Sequence, residues 1–393
     1  MTMRIAIVND LAMAREALRR AVAAMPDATV AWTANDGADA IAKTERDRPD
    51  LILMDLIMPG TDGVDATREI MRRCPCAIVV VTATVEGNAS RVYEAIGAGA
   101  LDAVDTPRIG SDGGAATLAR KVEEVRRMRA GGHGCGCTPP IAARGPVAAS
   151  TRSPAVAIAS TEACCGAPST GGAAPARTAA GASAGSTVAP APPASTAAPI
   201  VAIGASTGGP QALAAVLEAM PLYTPFTTLV VQHMEAPFLP GFAAWLGERT
   251  GRAVRLARAG DRLEAGAILV AGEPRQLVVT RCGTPCYVDG PPDLVHKPSV
   301  DVLFHSLAES GVEPGVAVLL TGMGRDGARG LLALRRGGWA TIAQDSATSI
   351  VWGMPGAAVD LNAAERVLPL GQIGAALVAE MSRRRAERMG GTR

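Results

Sequence analysis

Short apolar runs alternate with segments whose apolar residues recur every three or four positions, first from Arg4 to about Ala130 and again from Pro199 to about Glu380. Ile5 to Asn9 (IAIVN) reads as a buried strand. The apolar residues that follow, Ala14, Ala17, Leu18, Ala21 and Met25, give a helix one apolar stripe with which to cover a sheet. The alternation continues through VAWTA, LILMD, AIVVVT and LDAV, each followed by a helical stretch. It predicts five strand and helix pairs, and hence a doubly wound five-stranded parallel sheet, over residues 1–130. After Pro199 the segments IVAIGAS, TTLVVQH, AILVAG, VAVLLTGMG and ATIAQD are predicted strands with helical segments among them, a larger doubly wound α/β domain over residues 199–385. Residues 131–198 lose both periods and are dominated by Gly, Pro, Ser, Thr and Ala, the composition of a flexible low-complexity linker. Such a chain transmits no torque, so the first domain must act on the second by docking.

Composition narrows the picture. The 393 residues suit two to three domains. With 38 Lys plus Arg against 37 Asp plus Glu, the net charge of +1 offers no field for general nucleic-acid binding. Aromatics are only 3% of the chain, so Ala, Val, Leu and Ile must fill the cores. No apolar run reaches the roughly 18 residues of a membrane helix, and MTMRIAIVND lacks a signal-peptide core, which predicts a cytoplasmic protein with no membrane insertion. The pairs Cys135/Cys137 and Cys164/Cys165, near His133, lack the two-residue gap of common zinc sites and read as incidental linker cysteines.

In an open parallel sheet, ligands bind outside the carboxyl ends of the strands. In the first domain those ends carry Asn9 and Asp10, Asp55, Thr82, and Asp105 with Thr106. Two carboxylates on neighbouring strand ends suit a hard cation such as Mg²⁺. Loop-end capping is the plainer reading of Asp55, but the Pro- and Gly-containing turn LIMPGTDG predicts an exposed carboxylate.

These residues resemble the receiver domains of bacterial response regulators. The resemblance implies that Asp55 accepts phosphate from a histidine kinase, that Asp10, Asp55 and the carbonyl of Ile57 hold Mg²⁺, and that the Thr82 hydroxyl supports the phosphosite. Two positions depart from it. Asn9 replaces an acid, which weakens Mg²⁺ binding, and Thr106 stands where the family has a Lys able to pair with phosphate. A receiver that only docks and is never phosphorylated is the competing view.

In the second domain Gly204-Ala205-Ser206-Thr207-Gly208 follows the strand IVAI and precedes a helix, the context that a G-x-S-x-G nucleophile turn requires. Taken alone, the pentapeptide fits a glycine-rich phosphate-binding turn equally well. The histidines carry the choice further. His233 ends the strand TTLVVQ on the same carboxyl edge as Ser206, His296 in VHKPSVD is a reserve candidate, and His305 lies inside a helical stretch. Asp326, in TGMGRDG after the strand VAVLL, supplies a carboxylate at that edge. A serine needs an imidazole to remove its proton, and the imidazole needs a carboxylate to fix its tautomer.

The order Ser, His, Asp with GASTGG, QHM, HKPSVD, TGMGRDG and VWGMP resembles the catalytic domain of the chemotaxis protein-glutamate methylesterases, the CheB family, joined to a receiver as in that family. The likeness covers both folded parts and not the linker. It implies a Ser206, His233 and Asp326 triad with no cofactor, an oxyanion hole from the amides of Thr207 and Met323, and methyl-accepting chemoreceptors as substrates. It further implies glutamine deamidation as a second activity and a receiver that covers the catalytic edge until Asp55 is phosphorylated. The receiver departures in VND and DTP are similar to those of a branch found in surface-sensing systems that control cyclic di-GMP production. A non-catalytic binding module and a small-molecule carboxylesterase are the alternatives.

Overall fold

The computed structural model describes residues 2–82, 85–107, 112–130, 198–290, 294 and 296–390. The segment read as a linker, with His133 and its cysteine pairs, lies outside the described residues save for Ala198.

The first domain runs β1 (Met3–Val8), α1 (Ala12–Ala23), β2 (Ala28–Ala34), α2 (Gly37–Arg46), β3 (Leu51–Met54), α3 (Gly63–Arg73), β4 (Ala77–Thr82), α4 (Val85–Ala98), β5 (Asp102–Asp105) and α5 (Asp112–Ala130). Its five strands pair in parallel in the order β2-β1-β3-β4-β5. Helices cover both faces, so strands such as LILM are buried at every position and read as unbroken apolar runs. The strand order reverses between β1 and β3, which opens a crevice between the loops carrying Asp10 and Asp55.

The second domain runs β6 (Ile200–Ala205), α6 (Gly209–Glu218), β7 (Thr227–Gln232), a 3₁₀ turn (Ala236–Phe238), α7 (Leu239–Thr250), β8 (Val254–Leu256), β9 (Ile268–Val270), β10 (Gln276–Val279), β11 (Pro285–Val288) and α8 (Val300–Glu309). It continues with β12 (Val316–Leu319), α9 (Ala328–Arg336), β13 (Ala340–Gln344), α10 (Met354–Asp360), β14 (Arg366–Leu368) and α11 (Leu370–Gly390). Seven strands form a parallel sheet in the order β14-β13-β12-β6-β7-β9-β8, and β10 and β11 make a separate antiparallel hairpin. The order reverses between β6 and β12, so β12, β6 and β7 lie side by side at the switch point. The alternation of the sequence does not announce β8, β10, β11 and β14. Two of them are three-residue edge strands carrying Arg255 and Arg366, and the other two stand outside the main sheet, so none needs a long apolar run.

The two domains share a hydrophobic cluster. Helix α4 packs on α6, α7 and the 3₁₀ turn. Tyr93 on α4 is fully buried there, 5.8 Å from the ring of Phe242 and 5.6 Å from that of Trp245. Its hydroxyl donates to the Phe238 carbonyl at 2.6 Å. Gln211 on α6 donates its amide to the Ile96 carbonyl at the end of α4. Among the described residues no helix is long and apolar enough to cross a membrane.

Candidate active site

Three adjacent strand ends build the site from below. Ser206 follows β6, His233 follows β7, and Asp326 lies in the loop after β12. Backbone bonds tie these ends together: the Ser206 amide donates to the Thr321 carbonyl at 3.0 Å and the His233 amide to the Ala205 carbonyl at 3.0 Å. The buried Gln232 side chain bridges two of them, donating to the carbonyls of Ser206 (2.9 Å) and His233 (3.0 Å).

The turn after Ser206 depends on its glycines. Gly208 has φ +76° and caps α6, while Pro210 opens that helix at a position where its missing N–H costs nothing. Across the site, a Cβ on Gly322 would stand 2.7 Å from the Ser206 Cβ, so the loop carrying Met323 can approach Ser206 only with glycine there. The amides of Thr207 and Met323 donate no hydrogen bond among the described residues.

His233 is joined to Asp326 through Nε2, 2.7 Å from Oδ2. Its Nδ1 is buried and has no partner among the described residues. The carboxylate is held from three further directions at the start of α8: by the Ser299 hydroxyl (2.7 Å) and the amides of Val300 (2.7 Å) and Asp301 (3.0 Å). Burial by itself would push Asp326 up, but the bonds from His233, Ser299 and the helix amides together hold it below the usual carboxylate range. An ionised Asp326 places the proton on His233 Nε2 and leaves Nδ1 with its lone pair. Asp301 moves the other way, raised by burial and then by the charge of Asp326.

His296, the reserve candidate, has a different place. Its ring lies on that of His233, with centroids 4.0 Å apart and planes 8° from parallel. Asp326 bonds His233 instead. Burial, followed by the neighbouring His233, pushes the His296 imidazole down to about 4. His305 is on α8, outside the cavity lining.

Ser206, His233, His296 and Met323 line a cavity of about 460 Å³ whose opposite wall belongs to the first domain: Asp102 and Ala103 of β5, and Arg120, Lys121, Glu123, Glu124 and Arg127 of α5. Lys121 is buried between Asp102 and Glu124. Glu235, two residues after His233, has a buried Oε1 without a partner among the described residues, and burial followed by the charge of Asp105 raises its carboxyl.

At the first domain's crevice, Asp55 is half-buried rather than exposed as its turn suggests, and the Leu56 amide donates to its Oδ1 at 2.7 Å. Burial, partly offset by the Leu56 and Ile57 amides and aided by the charge of Asp10, raises its carboxyl to about 6. Thr82 is buried, and its carbonyl accepts from the Thr106 amide at 2.9 Å. Asn9 turns its side-chain oxygen to the Leu11 amide at 2.8 Å. Arg15 carries no signal in the sequence pattern, yet from the first turn of α1 its guanidinium donates back to the carbonyls of Asn9 (2.7 Å) and Asp10 (2.8 Å) in the loop before the helix.

Residues 201–377 match the family model CheB methylesterase, and residues 5–108 match response regulator receiver domain. Over 389 residues the chain is 44% identical to protein-glutamate methylesterase/protein-glutamine glutaminase 4 of Burkholderia thailandensis, covering 98% of this chain and 100% of that one. The chain belongs to the CheB methylesterase family. A second relative in the family, protein-glutamate methylesterase/protein-glutamine glutaminase of Mesorhizobium japonicum, is 42% identical over 386 residues, 97% of this chain and 99% of that one. Among solved structures the chain is similar to the Thermotoga maritima CheB methylesterase catalytic domain, 31% identical over 47% of this chain and 99% of that one, with a TM-score of 0.44. The resemblance read from GASTGG, QHM and TGMGRDG is therefore a true family membership, and the chain is a carboxylic ester hydrolase joined to a receiver domain.

Proposed function

We propose that this chain hydrolyses glutamate methyl esters on helices of methyl-accepting chemoreceptors, with Ser206 as nucleophile, His233 as general base and Asp326 as its anchor. The observation that carries the reading is the polarity of His233: Nε2 is bound to Asp326 at 2.7 Å, Nδ1 is buried with no partner among the described residues, and His233 shares one cavity lining with Ser206. Nδ1 takes the Ser206 proton as Oγ adds to the ester carbonyl. The resulting oxyanion lies toward the amides of Thr207 and Met323, whose help is worth about a hundred- to a thousand-fold in kcat per donor. The tetrahedral intermediate collapses, methanol departs with the proton from His233, and a water molecule deprotonated by His233 then releases Ser206 and a glutamate carboxylate. A glutamine side chain passes through the same intermediate with ammonia leaving, which makes deamidation the natural second reaction.

The receiver regulates this site by covering it. Strand β5 and helix α5 form the wall opposite Ser206, so a receptor helix reaches the serine only when the domains part. Phosphoryl transfer from a histidine kinase to Asp55 weakens that docking. Mg²⁺ suits the crevice: the donors are oxygens, and a cation would relieve the raised Asp55 carboxyl beside Asp10. Asp10, Asp55 and the carbonyl of Ile57 would hold it, screening the charge of an incoming phosphoryl group, with Thr82 and Thr106 supporting the phosphosite. Asn9, committed to Leu11, adds little.

The substrate class is tested by comparing hydrolysis of a methylated chemoreceptor with that of a small chromogenic ester by the full chain plus phosphodonor. Preference for the receptor by orders of magnitude in kcat/KM is expected. Equal turnover of both would mark a small-molecule esterase.

A further inference from the structure

We infer that His296 is a positioning residue for the reaction: stacked flat against His233, it fixes the plane in which His233 Nδ1 meets Ser206. The inference rests on the esterase reading of the same site. The bond from Cβ and the hydrogen bond from Nε2 to Asp326 fix two points of the imidazole and leave it free to rock about the line between them. A second flat ring 4.0 Å away and 8° from parallel removes that rocking. A base must be aimed within a fraction of an ångström of the proton it takes, and a 1 Å misplacement costs about a hundred-fold in rate.

His296 is itself held. Its carbonyl accepts from Gln276 Nε2 at 2.9 Å, and Gln276 Oε1 accepts from the Ser299 amide at 2.7 Å. Gln276, fully buried on β10, therefore fixes both the residue that stacks on His233 and the residue whose hydroxyl holds Asp326. The stacked ring and the carboxylate hang from one side chain in the hairpin. This explains why an antiparallel excursion outside the main sheet bears on a site at the sheet's edge.

Charge supports the role. When His233 takes the serine proton it becomes an imidazolium, and a second cation stacked on it would oppose that step. Burial, His233, and Arg120 and Lys121 on the facing α5 all favour neutral His296, against the opposing pull of Asp326. His296 thus supplies a flat, uncharged surface.

The test uses the full chain with His296→Phe, His296→Leu and His296→Gln. Two rates are measured: labelling of Ser206 by an organophosphonate, and methanol release from methylated receptor. The Leu and Gln variants should label and turn over about 100-fold more slowly with KM changed less than about two-fold. The Phe variant, which keeps a flat ring, should recover to within about three-fold. Wild-type rates in Leu or Gln, a Phe variant as slow as Leu, or a raised KM at constant kcat would each overturn the inference. Should Leu fail to fold, Gln and Phe decide it. If the wild type labels at Ser206 but releases no methanol, the substrate reading fails while the labelling series still decides the role of His296.

Discussion

Asp326 illustrates how much one residue can organise. It joins the histidine that follows β7 to the first turn of α8, accepting four hydrogen bonds in a buried site. Asp326→Asn should lower kcat by about 10⁴-fold, since an amide no longer enforces the tautomer that leaves Nδ1 basic. The sign of its pH dependence is fixed: a carboxyl held below its unfolded value contributes stability that is present above about pH 4 and is lost as pH falls through the lower folded value. Thermal melts between about pH 2 and 5 should therefore show a steeper acid-side loss in the wild type than in Asp326→Asn. Ser206, His233 and Asp326 were legible in the sequence because each stands at or just beyond a strand of strong apolar pattern, where chain order alone brings them to one edge. The roles of Gln232, Gln276 and Ser299 were not. Their effect depends on contacts between residues 23 to 27 positions apart that no local period encodes.

At the scale of elements, the receiver sheet was readable strand by strand because both its faces are covered and its central strands β1, β3 and β4 must be apolar. The catalytic domain was readable only at its centre. The edge strands β8 and β14 and the hairpin β10–β11 are too short or too mixed to stand out, and the hairpin is the element that holds the His296 segment. Helix α8 links fold to chemistry. Its cap, Ser299, accepts from the Val302 amide and donates to Asp326. Removing that hydroxyl in Ser299→Ala should cost about 1 kcal/mol of stability, measured by urea denaturation. It should also reduce turnover, by less than Asp326→Asn does, because the Val300 and Asp301 amides still hold the carboxylate.

Across the whole molecule, docking places a charged helix, α5, over Ser206 and His233 at the carboxyl edge of the catalytic domain's sheet. The anchor of that arrangement is Tyr93, whose hydroxyl donates to a buried carbonyl of the catalytic domain. Tyr93→Phe leaves that carbonyl without its donor, at a cost of about 1–3 kcal/mol to the docked form. Basal methanol release by the unphosphorylated full chain should rise toward the level reached with phosphodonor, and unchanged basal release would detach the contact from regulation. The domain order and the two candidate sites were visible in the sequence, whereas the face by which the domains meet was not, since Tyr93 and Ile96 look like ordinary core residues of the first domain. Everything functional nevertheless rests on Ser206 as the nucleophile. The most direct test is methanol release from methylated receptor membranes by the full chain with Mg²⁺ and a small phosphodonor, wild type beside Ser206→Ala. The account predicts steady release by the wild type and a loss of at least about a thousand-fold in the variant; comparable release by both would contradict it.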